Sequence, residues 1–444
     1  MSVSSKQKSN ILLKWFVIAV QLDLEGKYMN KKEKLENTKL DFPTETVKEG
    51  RVEVFVPKLA AFVKSPSDYA PSKAPVFYNP VMELNRDIAV LALQAYQRVV
   101  NREISVCEPL AGCGVRGIRF AVEVEGVKKV VINDINEKAF QLAVSNVRMK
   151  ELSERVLVEN EDANFLLGSY GAPRRRFDGI DVDPFGSPVP YLDSAIRALR
   201  SGGFLALTAT DVAPLCGVHP KACIRKYGGK PLRTEYCHEL AVRLLAGCLA
   251  TTAAKNDIGI RIVFSHSTAH YIRIYAIADH GAKKADESIK KMGYILHCFK
   301  CFHREPVKEL FAAERSGKCS ECGSKIDFAG PLWLGRIVDG KFCELMEKEA
   351  KHRAFRHGEK IRRILALIKN EADAPITYYV LDKLCSRLAL PAPPVKRVLN
   401  ILKEEGFQAS FTHFNSKGIK TNASAMTMKE LLQNGFNGLF SDKF

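Results

Sequence analysis

Four short apolar runs, each leading into an acidic residue, constrain this chain more than any other feature. ISVCE (104–108) ends in Glu108, KVVI (129–132) leads to Asn133-Asp134, and VLVE (156–159) leads to Asp162-Ala163-Asn164. FDGIDV (177–182) leads to Asp183, and Gly203–Thr208, with Leu205–Leu207 as its apolar centre, supplies a fifth run. Apolar runs of this length between helical patterns read as strands of a parallel sheet in an α/β, doubly wound fold. Ligands in such open sheets bind at the carboxyl tips of the strands. One acid at a strand tip is an ordinary solvated strand end; four in succession mark a ligand crevice.

The first tip carries a glycine-rich turn. In ISVCEPLAGCGVRG (104–117), Gly112, Gly114 and Gly117 satisfy G-x-G-x-x-G, and a helical pattern continues over Ile118–Val124. Glycines there let the backbone approach a nucleotide ligand. Asp134 follows Gly112 by 22 residues, the distance at which a doubly wound fold places the carboxylate that binds ribose hydroxyls. A carboxylate at Asp162 can accept from an adenine amine, with a nearby backbone N–H for the ring.

The fourth tip differs. In DVDPFGSP (181–188) the alternation of Ile180 and Val182 with Asp181 and Asp183 reads as strand, and Pro184 stops it. Asp183-Pro184-Phe185 puts a carboxylate, a free carbonyl and an aromatic ring at one point. An exocyclic base amine needs two acceptors for its N–H groups and a flat surface for its ring. The plain alternative is a strand followed by an Asx-Pro turn.

The order of these pieces resembles an S-adenosylmethionine-dependent methyltransferase. More closely, the chain resembles the archaeal and eukaryotic tRNA guanine-26 N2-dimethyltransferase family. The likeness rests on PVFYNPVMELNRD (75–87), GVRGIRF (114–120), NDIN (133–136), DVDPFGSP (181–188), TATDVAPLCGVHP (208–220) and THFNSKGIKT (412–421), spanning roughly Val52 to Thr421. It implies a Rossmann-like methyltransferase domain in which Arg86 pairs with the methionyl carboxylate of S-adenosylmethionine and Arg116 borders the same pocket. It further implies Asp134 on the ribose, Asp162 and Ala163 on the adenine, and Asp183, Pro184 and Phe185 as the catalytic set. The tetrad departs from the D-P-P-Y form of many amino-methyltransferases, with Phe185 and Gly186 in its last two positions. Phe185 then either stacks on the base or shapes the pocket, and the small Gly186 leaves room for a first methyl group. The target nucleotide must be flipped out of its stack. Lys221, Arg225, Lys226, Lys230 and Arg233, in the 208–233 segment, are expected near its phosphates, and Cys216 in APLCG takes a structural role by default.

Twelve cysteines bear on compartment and metal together. Cys298-x2-Cys301 and Cys319-x2-Cys322, 17 residues apart, have the spacing of a four-thiolate zinc site. Four thiolates leave no open position, so the zinc is expected to be structural in a zinc-ribbon-like insertion; two disulfides are the alternative. Ile11–Val20 is the one strongly apolar run, too short for a membrane span and interrupted by Lys14. No small-residue cleavage site follows it, and a cytoplasmic, reducing location is expected. Residues 1–28 read as a misassigned start or a dispensable extension.

The 444 residues suggest two or three domains. The expected division is a partly disordered extension over 1–50, the methyltransferase domain over 51–280, the zinc module over 281–340 and a basic domain over 341–444. Residues 341–420 hold 16 Lys/Arg against 9 Asp/Glu, within a net charge of +17 for the whole chain. Helical patterns at Phe355–Asn370, Val380–Leu388 and Val395–Glu405, then a hairpin over Phe407–Phe414 and Ile419–Thr421, resemble an α+β winged-helix-like domain. His413, Lys417 and Lys420 are its candidates for phosphate contact, with packing of solvated charges as the alternative. The expected partner is tRNA, with no membrane and no obligate protein partner. Three rivals stand beside this reading: a methyltransferase acting on another RNA or DNA base amine, a dinucleotide-dependent oxidoreductase, and a noncatalytic zinc-containing RNA-binding protein. The oxidoreductase leaves Asp183-Pro184-Phe185 without a role, and the binding protein leaves four acidic tips without one.

Overall fold

The computed structural model describes residues 40–63, 71–268, 270–309 and 317–434. The segment 1–28, and most of the extension expected over 1–50, lie outside the described residues. Within that extension, however, Thr44–Glu49 (β1) pairs in antiparallel register with Val52–Pro57 (β2), and Glu49 is buried.

The central sheet is built from the apolar runs of the sequence. Ile104–Glu108 (β3), Val127–Asn133 (β4), Val156–Glu159 (β5), Phe177–Val182 (β6) and Leu199–Ala209 (β7) are joined by helical crossovers. Neighbouring strands among these five are parallel. Ile258–Thr268 (β8) and Tyr271–His280 (β9) complete a seven-stranded mixed sheet of order β5-β4-β3-β6-β7-β9-β8, with β9 antiparallel to both β7 and β8. The order reverses direction at β3, between β4 and β6, which is where such sheets open a ligand crevice.

Two long helices cover this sheet. Glu83–Val100 buries residues 84–96 on all sides, which an isolated amphipathic helix would not do. Its buried charges are paired: Arg86 with Glu49, Asp87 with Arg119 at 2.7 Å, and Glu83 with Arg356 at 3.1 Å. Cys237–Ala254 is largely apolar around its circumference and buries Glu239 to Gly247, Leu249, Ala250 and Ala253. Neither helix is assigned from the sequence: Cys237–Ala254 has little polar face and so no clear period, and the charges of Glu83–Val100 lie on faces that the fold buries.

Met292–His297 (β10), Arg304–Val307 (β11) and Asp327–Trp333 (β12) form a separate three-stranded sheet, with the cysteine pairs in its connections. Ile295, Ala329, Leu332 and Trp333 join the main core. The helices Gly340–Lys351 and Gly358–Asn370 also bury their apolar faces there, through Phe342, Met346, Ile361 and Leu365. A second buried cluster holds Tyr379, Leu381, Leu384, Val398, Leu402, Ile419 and Met428. It unites the helices Leu381–Arg387, Val395–Glu404 and Ala425–Asn434 with the strands Tyr379–Val380 (β13), Ala409–Phe411 (β14) and Gly418–Thr421 (β15).

One expectation for this last region is corrected. Lys420 is 2% exposed and its ammonium lies 2.6 Å from Glu239, on the Cys237–Ala254 helix. The His413 imidazole lies 2.7 Å from Glu371 and is buried with it. Neither can reach a phosphate; both are internal connections between the C-terminal sheet and the main core. Lys417, at the turn before β15, is exposed.

Glu239 also accepts from Arg243 (2.8 and 3.0 Å) and from the Thr377 N–H (3.0 Å). Burial alone would raise its pKa, but Lys420 and Arg243 bring it down to about 2. A depressed carboxyl contributes stability above its unfolded value near 4.5 and loses it as pH falls toward 2. Removing one partner of such a buried pair costs about 3–5 kcal/mol. Lys420→Met is therefore expected to loosen the C-terminal cluster before the sheet, seen as a separate early transition in urea unfolding followed by hydrogen exchange. Coincident melting at the wild-type midpoint would contradict the assignment.

Candidate functional site

At the tip of β3, the chain turns through Ala111–Gly114. The Gly112 N–H donates to Asp134 Oδ2 at 2.8 Å, and the Ala111 N–H to the Asn133 carbonyl at 2.8 Å. Gly112 and Gly114 have φ of +56° and +76°, the left-handed region that favours glycine. A Cβ on Gly117 would lie 2.6 Å from Ile132 Cγ1, so that glycine brings the Val115–Glu123 helix down onto β4. Gly112 and Gly114 thus supply the left-handed turn, and Gly117 the close approach of helix to strand.

Asp134, at the tip of β4, uses Oδ2 for the glycine loop and Oδ1 for the Asn136 N–H (2.9 Å). Asp162 caps the Ala163–Ser169 helix, its Oδ1 accepting from the Asn164 and Phe165 N–H groups. Both carboxylates are therefore held in place by backbone donors. Asn133, which the sequence reading passed over, is the tie between tips. It is fully buried, donates to the Pro109 and Glu161 carbonyls and accepts from the Glu161 N–H.

Three large apolar side chains project from three of these tips into solvent. Ile135 is 67% exposed, Phe165 68% and Phe185 70%. Large apolar side chains left this exposed mark places where a ligand can cover them. Phe77 meets Phe185 edge-on, with ring centroids 4.5 Å apart. Exposure of this kind leaves no signature in the sequence beyond an apolar residue out of register with its strand.

The charged heart of the site is a cluster of three carboxylates and two guanidiniums. Arg116 reaches Glu108 (3.2 Å), Asp181 (3.2 Å) and Asp183 Oδ2. Arg273, from β9, pairs with Asp181, reaches Asp183 Oδ2 at 4.0 Å and donates to the Thr208 hydroxyl. Glu108 Oε2 accepts from the Gly117 N–H at 2.8 Å. Burial, opposed by Arg116, pushes Glu108 up to about 8. With Glu108 protonated near neutral pH, two carboxylates balance two guanidiniums. Arg273 was not foreseen, since it comes from a strand 92 residues beyond Asp181.

Beyond Pro184 the turn is fixed by Gly186, at φ +78°. Its N–H donates to the Thr210 hydroxyl (2.7 Å), and its carbonyl accepts from the Thr210 N–H (2.9 Å). Arg86 sits to one side, where its Nε and Nη2 donate to Glu49 and its guanidinium lies 5.4 Å from the Tyr78 ring centroid. Of the five basic residues of the 208–233 segment, Lys221, Arg225, Lys226 and Arg233 are exposed and Lys230 is half-buried. Lys226 pairs with Asp211 (3.0 Å) and Lys230 with Asp327 (2.5 Å).

The second site is the cysteine cluster. The sulfurs of Cys298, Cys301, Cys319 and Cys322 all lie within 4.8 Å of one another, at 3.5 Å for Cys298–Cys322 and for Cys301–Cys319. All four are free thiols, three of them buried. Such a set fits a tetrahedral ion with sulfur ligands.

Comparison with known proteins agrees with this geometry. Residues 50–433 match the family described as N2,N2-dimethylguanosine tRNA methyltransferase. A tRNA (guanine(26)-N(2))-dimethyltransferase of Methanobrevibacter smithii is 42% identical over 88% of this chain and 98% of its own. A tRNA (guanine(26)-N(2)/guanine(27)-N(2))-dimethyltransferase of Aquifex aeolicus is 38% identical over 86% and 93%. A solved structure of Trm1 from Pyrococcus horikoshii with S-adenosyl-L-methionine superposes with a TM-score of 0.75 at 35% identity, covering 87% of this chain and 99% of that one.

The raised Glu108 carboxyl makes a testable statement about this cluster. A carboxyl at about 8 in the fold and near 4.5 when unfolded binds more protons folded between those values. Stability therefore falls as pH rises from 4.5 to 8 on its account. Glu108→Gln is expected to flatten that decline in urea midpoints measured at pH 5 and pH 8. An equal decline in both proteins would contradict it.

Proposed function

The chain belongs to the N2,N2-dimethylguanosine tRNA methyltransferase family, and from that premise we propose that it methylates the exocyclic N2 of guanine 26 in tRNA. S-adenosylmethionine is the methyl donor, and the products are N2-methyl- and N2,N2-dimethylguanosine. The observation that carries the reading is Asp183. Arg116 and Arg273 both lie against its Oδ2, which leaves Oδ1 for an incoming amine.

The cofactor supplies an electrophilic methyl on a sulfonium; the remainder of the chemistry is positioning. Guanine N2 is a weak nucleophile because its lone pair is delocalised into the ring. Hydrogen bonds from its two N–H groups to Asp183 and the Pro184 carbonyl aim the lone pair, and Asp183 takes the proton released as nitrogen gains carbon. Holding the amine in line contributes most of the rate, up to ~7–11 kcal/mol in favourable cases. After the first transfer one N–H remains for Asp183, and Gly186, with nothing within 4 Å of its missing Cβ, leaves space for the methyl group. Phe185 stacks on the base or walls the pocket.

On the cofactor side we assign the ribose to Asp134 and the adenine to Asp162 and Ala163, between the exposed Ile135 and Phe165 side chains. Gly112 allows close approach of the loop, and Arg116 closes the pocket beneath. Glu49 already holds two of the three nitrogens of Arg86, so a methionyl carboxylate would meet the remaining edge.

The further assignments keep the domain division of the sequence reading. We read residues 51–280 as the catalytic domain, 281–340 as a zinc-ribbon-like module whose four cysteines hold a structural zinc, and 341–444 as a winged-helix-like domain that binds tRNA, its first two helices packed on the main core and the rest around the second cluster. The exposed Lys221, Arg225, Lys226 and Arg233 face the substrate backbone, with Lys230 beside them, and a cytoplasmic location follows from the substrate.

Nucleoside analysis of an unmodified tRNA transcript tests the proposal. Wild-type protein with S-adenosylmethionine is expected to yield dimethylguanosine at position 26. Asp183→Asn should slow the reaction by about 10²–10⁴-fold while S-adenosylhomocysteine binding persists. Full activity in Asp183→Asn would remove the carboxylate from the mechanism.

A further inference from the structure

Outside both sites, a third set of ligand atoms converges. Cys216, Cys237 and His238 each offer one ligand atom, and the three lie within 4.8 Å of one another. Cys216 follows the short helical turn Val212–Leu215 and is buried; Cys237 and His238 are the first two residues of the Cys237–Ala254 helix and are half-buried.

The fold brings them together through a close backbone crossing. Gly217, at φ +85°, passes so near the Leu232–Arg233 backbone that a Cβ would sit 2.7 Å from the Arg233 nitrogen. That crossing sets the residue before Gly217 against the segment leading into the helix. Between them, the Thr234 carbonyl accepts from the Cys237 N–H at 3.3 Å, while the Thr234 hydroxyl is buried with no hydrogen-bond partner among the described residues.

We propose that Cys216, Cys237 and His238 form a second metal site of the Cys2His class, suited to zinc. Three atoms no more than 4.8 Å apart share a centre about 2.8 Å or less from each, and contraction by about half an ångström brings them to zinc–sulfur and zinc–nitrogen distances. Two thiolates and one imidazole are ligands that zinc prefers, and they leave a fourth position on the half-buried side for water.

The site lies behind the catalytic turn. The segment that begins with Thr210, hydrogen-bonded to Gly186, ends at Cys216. An ion there ties the far end of that segment to the first turn of the Cys237–Ala254 helix. It thus braces the wall against which the Asp183-Pro184-Phe185-Gly186 turn rests.

Zinc content of purified protein tests this, measured by plasma emission on wild type, Cys216→Ser, Cys237→Ser and, as a control on the same helix, Cys248→Ser. The expected result is a loss of one zinc per chain in the first two variants and none in Cys248→Ser, whatever the cysteine cluster at 298–322 holds. Equal zinc in all four proteins overturns the proposal. Should the serine variants fail to fold, His238→Gln, at the half-buried ligand, is measured in their place: loss of one zinc per chain supports the site, and wild-type zinc content overturns it. A non-reducing peptide map that joins Cys216 to Cys237 in the protein as isolated also overturns it, because a disulfide leaves no thiolates for an ion.

Discussion

Arg116 and Arg273 stand among Glu108, Asp181 and Asp183, nearly all of them buried, and the crevice depends on that balance of charge. Isolated, any of these five groups would be costly to bury; together they hold one another in fixed positions. Glu108 anchors the glycine turn through the Gly117 N–H, and Asp181 joins β6 to β9 through Arg273. Asp183 projects from the same cluster, less buried than its neighbours. The position of Asp183 is thus set by its buried neighbours within the protein.

A similar device fastens the periphery to the centre. Glu239 receives Arg243 from its own helix and Lys420 from β15, while Glu371 receives His413. On the opposite flank, Arg119 gathers Glu49, Asp87 and Glu123, joining the β1–β2 hairpin to two helices. Pairs like these add little net stability compared with apolar packing, but breaking one is expensive. They fix which elements meet, and they place the substrate-facing loops on a rigid frame.

How far the sequence disclosed this arrangement follows from the range over which each signal acts. The five parallel strands, the glycine turn and the paired cysteines are local patterns, and their boundaries hold to within a few residues. The acidic tips are local too: Arg116 joins Glu108 to Asp183, Asp134 holds the glycine turn, and Asp162 caps the helix after its strand. Arg273, Lys420 and His413 carry no such signal, because each is explained only by a partner far away in the chain. Lys420 in particular reads as a solvated charge on a basic hairpin until Glu239, 181 residues earlier, is placed beside it. Asn133 was visible in NDIN, yet its role as a tie appears only once three strand tips are adjacent. Cys237–Ala254 escaped because an apolar circumference erases the periodicity by which helices are recognised, and Glu83–Val100 because the charges on its buried faces read as solvated.

The account stands on the claim that buried guanidiniums, rather than the substrate, aim Asp183. Arg273 is fully buried and is not assigned to cofactor, base or tRNA, so Arg273→Lys separates aiming from binding. Single-turnover methyl transfer to guanine 26 by this variant is the direct measurement. The account predicts a rate about 10–100-fold below wild type, with S-adenosylhomocysteine and tRNA affinities and the circular-dichroism spectrum unchanged. A wild-type rate in a folded Arg273→Lys protein would show that Asp183 is aimed without this cluster, and the central claim would fail.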